Sequence, residues 1–339
     1  MKLTSFGEIM LRLQPNNSNR IIQSTNFDVQ YGGAESNVAV SLSLLGDQTS
    51  YVTKLPDNLL GNAALYRLRG LGVDTTQIVR GGNRLGIYFF ESGASVRNTN
   101  VIYDRKNSAF STSLITDYDW SIILKDTDYF YVSGITPAIS TELQHIVLEA
   151  VAYCQKKGII VIYDANYRGK MWSTQEAQSF SRKIMPFVSI CFAHDEDFES
   201  SFGIPAFNGD MTNGISQKEQ FETAITQLTK QYPNVQIFGS VLRNIYSVES
   251  SEWMALLFEN NTFFESSKYK IHVLEGVAAG DAFSAGLMHG LIHHYAPQQQ
   301  LDFAIANSVN KLTVHGDFNL ASEKEIMSLI HSNSSTMNR

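Results

Sequence analysis

The stretch from Asp128 to Phe238 constrains the fold most, because short apolar runs alternate there with helix-periodic segments. Asp128 to Ile135, Ile159 to Tyr163, Val188 to Phe192 and Val235 to Phe238 read as buried strands, each a largely apolar run too short for a helix. Between the first two, Ile139, Leu143, Ile146, Val147, Ala150 and Cys154 recur at helical intervals. Buried strands separated by helices predict an α/β fold with a central, mostly parallel sheet flanked by helices. A chain of 339 residues, 43% of them hydrophobic, can bury the large core this needs.

Two segments have a different texture. Leu11 to Tyr31 and Leu85 to Arg105 are interrupted by polar residues and rich in Tyr, Phe, Asn and Gly, which suits antiparallel strands projecting from the main sheet as a flap. Val38, Val40, Leu42 and Leu44 alternate like a strand, yet Val38, Leu42 and Leu45 also fit a helix closed by Gly46, and the helix is the reading adopted.

Composition narrows the function. The 26 basic and 33 acidic residues leave a net charge of −7, which argues against nucleic acid or an anionic membrane as partner, since both need clustered Lys and Arg. Cys154 and Cys191 are the only cysteines, too few and too far apart for a disulfide framework or a zinc site. No N-terminal leader pattern or run of membrane-spanning length occurs, so a cytoplasmic location is expected.

The chemistry concentrates in Glu275 to Gly286, EGVAAGDAFSAG. Small residues end at Gly280-Asp281 and pass into an apolar pattern of Phe283, Leu287 and Leu291, which predicts a helix opening at the glycine turn. Unpaired N–H groups at such a start attract anions, and small side chains let a phosphate approach the backbone. Asp281 then has two readings: a general base that takes a proton from an alcohol attacking the phosphate, or a helix cap. No G-x-x-x-x-G-K-[ST] occurs, and no early strand is followed by G-x-G-x-x-G, so neither common nucleotide loop is present.

Taken together, GGAESNVAVSLSLLG from Gly32, YDANYRGKMWS from Tyr163 and EGVAAGDAFSAGL from Glu275 resemble the ribokinase-like, or PfkB-type, carbohydrate kinases in order and spacing over nearly the whole chain. GEIMLRL at 7–13, IYDRKNSA at 102–109 and HGDFN at 315–319 are most similar to the bacterial 2-keto-3-deoxygluconate kinases within that family. The resemblance implies one kinase domain over 1–339, with a small β-sheet lid at approximately 11–33 and 84–110. It also implies ATP-dependent phosphorylation of the terminal hydroxyl of 2-keto-3-deoxygluconate, with Mg²⁺ as the metal. The alternatives are another sugar kinase of this type, acting on fructose or an aldonate, and a non-catalytic sugar-acid binder.

Residue by residue, the resemblance makes Asp281 the base and the backbone of Ala278, Ala279, Gly280 and Asp281 the anion hole. Many relatives have glycine at 278, and alanine is acceptable there if its backbone keeps negative φ. Gly33 and Asn37 match positions that touch the sugar, and Arg105 and Arg168 match positions that bind the acid group, where a guanidinium suits a carboxylate. Tyr88 and Tyr103 would wall the sugar from the lid. For the nucleotide the matches are Asn166, His194, Ser240, Arg243, Gly280 and Asn307, with Asn307 bordering the adenine and Asp197 organising hydrated Mg²⁺. His194 stands where relatives have asparagine, and Glu275 where they have aspartate; no potassium requirement is inferred. Asp317 either touches the substrate region or orders the C-terminal loop. The family's habit of pairing lids implies a homodimer, with Tyr88 expected at both the sugar and the subunit contact.

Overall fold

The structure, a computed structural model, describes residues 1–331. Residues 332–339 of the expected domain lie outside it.

All four strands expected from the apolar runs are present: β9 (Tyr129–Ser133), β10 (Ile160–Asp164), β11 (Ile190–Phe192) and β12 (Ile237–Ile245). They pair in parallel, and β1 (Lys2–Phe6) with β4 (Gln48–Val52) continues the parallel sheet beyond β9. The other edge departs from a purely parallel pattern. There β12 runs on into an antiparallel hairpin with β13 (Ser250–Glu259), which also pairs with β14 (Thr262–Glu265) and β15 (Tyr269–His272). The sheet has nine strands among the described residues, and β5 (Lys54–Leu55) pairs with β6 (Val79–Arg80) apart from it. Separate apolar clusters built around Val147, Phe180 and Phe221 and around Leu42, Phe283 and Ile305 form the core.

The expected helix after β9 spans Thr141–Lys157, starts on the Ser140 hydroxyl and ends at Gly158 in the left-handed conformation. The segment with two periodicities is a helix, Ala34–Leu44, buried on every side from Ala34 to Leu42. Burial all round explains why alternation and helical spacing could both be read in it.

The lid is a separate four-stranded sheet, ordered β3 (Phe27–Gly32), β2 (Met10–Pro15), β7 (Ile87–Glu91), β8 (Asn100–Asp104). It occupies the two segments read as a flap, beginning one residue earlier at Met10, and with one correction. Its two hairpin pairs are antiparallel, but β2 and β7 meet in parallel, because the chain returns to the lid only after crossing the main sheet. Arg12, Tyr88 and Tyr103 share one register row, as do Leu13, Phe89 and Ile102 one residue further along, so successive rows face opposite sides of the lid. Met10, Tyr88 and Phe90 pack with Val277 over the main domain, while Val29 and Ile102 stay exposed.

Candidate active site

Parallel strands converge their carboxyl ends on one edge, and the loops that follow form the floor of a cleft. Here β10 ends at Asp164 and leads into Asn166 to Arg168, and β11 leads into His194 to Asp197. Both loops carry a non-glycine residue at positive φ, Asn166 at 40° and Asp195 at 38°. Together with the lid and the helix Ala279–Ile292 they enclose a cavity of about 970 Å³. Gly33, Asn37, Tyr88, Tyr103, Arg105, Asn166, Arg168, His194, Asp197, Arg243 and residues 278–281 all line it.

The two readings of Asp281 separate at the helix start. Ala278 is the N-cap, and Asp281 is the third helical residue, so it does not cap the helix. Its carboxylate accepts a 2.7 Å hydrogen bond from Asn37 Nδ2. Asn37 is therefore a partner of Asp281, delivered by the buried helix that packs on the helix of Asp281. Burial pushes the Asp281 carboxyl up to about 7, with Glu35 and Asp317 adding to the rise and Asn37 and Arg168 opposing it. A carboxylate poised near neutrality and facing a cavity suits proton abstraction.

The first intrahelical bond runs from Ala282 N to Ala278 O, so the N–H groups of 279–281 have no partner within the helix. Ala278 holds φ 58°, which overturns the expectation that its backbone stays at negative φ. The tight turn that aims these donors forces a left-handed residue there, and alanine pays the steric cost that glycine avoids. Gly33 is required for another reason: a Cβ there would stand 2.0 Å from the Glu8 carbonyl oxygen.

The two arginines differ. Arg105 is paired with Glu8, its Nη2 2.5 Å and its Nε 2.8 Å from Oε2, and Glu8 also accepts from Ser108 Oγ. Arg168 Nη1 donates to the Tyr167 carbonyl at 2.9 Å and has no acidic partner among the described residues. It lowers the carboxyls of Asp164, Asp197 and Asp281, which places its positive charge over the acidic floor.

On the nucleotide side, His194 Nδ1 accepts the backbone N–H of Val241 at 2.9 Å. Burial, with Arg243 and Arg168 nearby, drives this imidazole down to about 3, so it is neutral and carries its proton on Nε2. That nitrogen is enclosed, has no partner, and lies 3.5 Å from where a Cβ on Gly280 would stand. Arg243 is held by Asp195 through Nε at 2.9 Å and Nη2 at 2.6 Å. Asp197 spends its oxygens on the N–H groups of Tyr167 (2.7 Å) and His194 (2.8 Å), and burial pushes it up to about 6.

Two expected nucleotide contacts are corrected. Ser240 is fully buried and donates to the Ala193 carbonyl at 2.7 Å, tying β12 to the loop after β11. Asn307 is equally buried, donating to Ala282 O at 2.7 Å and accepting from Asn319 at 2.6 Å. Neither lines the cavity. Polar residues on buried helix faces and strands must satisfy themselves internally, and these two do so across elements.

Residues outside the predicted set complete the site. Arg12 is fully buried, stacks 3.9 Å over the Phe90 ring and bridges two acids, Glu275 Oε1 at 2.5 Å and Asp317 Oδ1 at 2.6 Å. Tyr88 donates to the same Asp317 oxygen at 2.6 Å. Asp317 therefore does both things considered for it: it lines the cavity and anchors the C-terminal loop to the lid. Buried Lys311, whose burial lowers it while Glu275 and Asp317 raise it, adds a second positive charge to this network. GEIMLRL contains both Glu8 and Arg12, but nothing in its spacing shows which acids they meet.

Asp164 is the other omission. It is buried, Oδ2 accepts from Tyr131 OH at 3.2 Å, and Oδ1 has no partner. Burial, then Asp197 and Asp281, raises its carboxyl well above the ordinary range. An orphaned buried oxygen beside two further acids fits a hydrated divalent cation such as Mg²⁺, with Asp164 a better donor than Asp197.

Residues 1–324 match the profile of the pfkB family carbohydrate kinases. A 2-dehydro-3-deoxygalactonokinase of Haloferax volcanii is 30% identical, over 96% of this chain and 95% of that protein. The solved structure of a Thermotoga maritima 2-dehydro-3-deoxygluconokinase is 41% identical, with a TM-score of 0.93, covering 98% of this chain and 100% of that one. A structure of an E. coli protein described as a putative ribokinase II, in complex with ATP and Mg²⁺, shares the fold at 18% identity, with a TM-score of 0.79 and coverage of 97% of this chain and 98% of that one.

Proposed function

Because the chain belongs to the pfkB family of carbohydrate kinases, we propose that it moves the γ-phosphoryl group of ATP to the terminal hydroxyl of a 2-keto-3-deoxy sugar acid. The observation that carries the choice of an acid is Arg168, a guanidinium with no acidic partner among the described residues that opens on the same cavity as Asp281. A neutral sugar would leave that charge without a counterpart, whereas a carboxylate can take two parallel hydrogen bonds from it. Arg105, already neutralised by Glu8, adds its remaining donors and not a free charge. Tyr103 and Tyr88, with ring centroids 5.9 Å apart, supply the lid wall.

In the reaction the acceptor hydroxyl gives its proton to Asp281, its oxygen bonds to the γ-phosphorus, and the bond from that phosphorus to the β–γ bridging oxygen breaks to release ADP. The N–H groups of 279–281 face the charge that grows on the transferring group. His194 Nε2–H adds a side-chain donor beside Gly280, so the histidine is a substitute for an amide donor and no defect. Bound Mg²⁺ would neutralise phosphate charge, with Asp164 and Asp197 as its nearest acids. Asn37 holds the base in place.

The two similar kinases named above act on acids that differ in the configuration of one hydroxyl, so the sugar pocket decides between gluco and galacto forms. Coupled detection of ADP with 2-keto-3-deoxygluconate, 2-keto-3-deoxygalactonate and fructose tests the proposal. Turnover of one or both acids is expected, with fructose far slower. Arg168→Met should raise the Michaelis constant for the acid by roughly 10- to 100-fold, the equivalent of one charge-assisted contact. A wild-type enzyme that prefers fructose, or a variant that loses both substrates equally, overturns the reading.

The exposed lid residues Val29 and Ile102, with half-buried Phe89 between their strands, support a homodimer formed lid to lid. Tyr88 points the other way, to Asp317, and so is not the residue that reports on association.

No helix among the described residues is long and apolar enough to cross a membrane. A cytoplasmic location is consistent with the ATP this reaction consumes.

A further inference from the structure

At the opposite end of the catalytic helix, away from the cavity, a buried carboxylate meets two imidazoles. Asp47 follows the turn that closes the helix Ala34–Leu44, and its side chain is only 2% exposed. Its Oδ2 lies 2.8 Å from His289 Nδ1 and its Oδ1 2.9 Å from His293 Nε2. No Lys or Arg pairs with it among the described residues, so with neutral histidines its charge is buried uncompensated, an expensive arrangement. His289 and His293 are four residues apart on one helix and present their rings on the same face, with centroids 4.4 Å apart. His289 is fully buried and stacks on Phe303, which fixes its ring.

We propose that Asp47, His289 and His293 form a binding site for a divalent transition ion of the zinc type, clamping the turn after the first long helix to the catalytic helix. Three donor atoms, one from each residue, already lie within 4.8 Å of one another. A tetrahedral ion about 2 Å from each donor needs donors roughly 3.3 Å apart, a spacing within the 4.8 Å that bounds this cluster, so small side-chain shifts suffice. The two-nitrogen, one-oxygen donor set favours zinc, cobalt, nickel or copper over the oxygen-seeking Mg²⁺ that the kinase reaction uses.

A second observation points the same way. Among the described residues His289 Nε2 is buried without a hydrogen-bond partner, 3.7 Å from Glu323 Oε1, and that carboxylate is held at 2.9 Å by Tyr295 OH. An ion on Nδ1 moves the imidazole proton to Nε2, where it faces Glu323; this is the carboxylate–histidine–metal arrangement by which outer residues orient a ligand. The ring stays neutral and no proton is lost. His293, 45% exposed, leaves the fourth position open to water and gives the ion its way in. His289 stands two turns beyond Asp281, roughly 12 Å along the axis, so the ion would brace the catalytic helix and take no part in the chemistry.

The test uses untagged full-length protein, stripped with EDTA and kept free of nucleotide and Mg²⁺. Zn²⁺ is titrated against a chromophoric chelator, and Co²⁺ by the visible absorption of a low-coordinate site. One equivalent of either ion per chain is expected, with a higher melting temperature when zinc is bound. His293→Gln, at a solvent-facing position that should not disturb folding, should weaken binding by at least about tenfold and abolish the thermal shift. Asp47→Asn, near-isosteric, should do the same, and His315→Ala, at the other histidine–carboxylate contact, should change nothing. No saturable uptake, or uptake that survives His293→Gln, overturns the proposal, and either result is independent of kinase activity.

Discussion

Replacing Asp281 by Asn should abolish phosphoryl transfer and stabilise the protein at the same time. The carboxyl sits 7% exposed, with one hydrogen bond from Asn37, and is raised from an ordinary 3.8 to about 7. A folded-state value above the unfolded one means that the native protein binds the proton more tightly, so ionised Asp281 costs stability at high pH. The cost is absent below about pH 4, grows as pH rises towards 7 and is then constant, at most roughly 4 kcal/mol. Asn removes the charge but keeps a carbonyl for Asn37 Nδ2. Thermal unfolding of wild type and variant at several pH values from 4 to 8 is the assay. The variant should gain a few degrees at pH 8, about 1.4 °C per kcal/mol for a chain of this size, and nothing at pH 4. Turnover should fall by about 10²- to 10⁴-fold, with sugar affinity within a few-fold. A helix cap predicts no pH-dependent gain, because Asn caps a helix about as well as Asp. Destabilisation at pH 8, or turnover above about a tenth of wild type, would refute the assignment of a buried base.

Four further outcomes follow from the same geometry. The kcat/KM for the sugar acid should fall about tenfold per pH unit below about 7, as Asp281 takes up its proton; a flat profile down to pH 5 contradicts this. Arg105→Met should unfold more easily by roughly 3 kcal/mol in urea, because it strands buried Glu8, whereas Arg168→Met, which breaks no ion pair and only withdraws a positive charge from three acids, should cost clearly less; equal effects would mean the two arginines are misassigned. Ala278→Gly should keep activity and gain up to about 1 kcal/mol from relief of the left-handed alanine, and a clear loss in denaturant melts would count against strain there. Light scattering at micromolar protein should give twice the chain mass and fall to the monomer mass in Ile102→Asp, with sugar affinity retained; a monomeric wild type removes the lid dimer.

The parts governed by local pattern were legible along the chain. Apolar runs of strand length set four parallel strands, small residues before an apolar period set the start of the catalytic helix, and conjoined motifs indicated the kind of reaction. Those features depend on residues adjacent in the chain, where periodicity and turn chemistry act. How distant residues pair was settled by folding and not by any local motif. Glu8 takes Arg105 from 97 positions away, Asp317 takes Arg12 from 305, and Asn37 reaches Asp281 across 244. These pairings separate a spent guanidinium from a free one, and give Asp317 its two neighbours. They also turn Ser240 and Asn307 from supposed ligand contacts into buried ties. A charge buried in a low-dielectric interior must find a counter-charge or a donor wherever the fold brings one, and no local pattern records which one that will be.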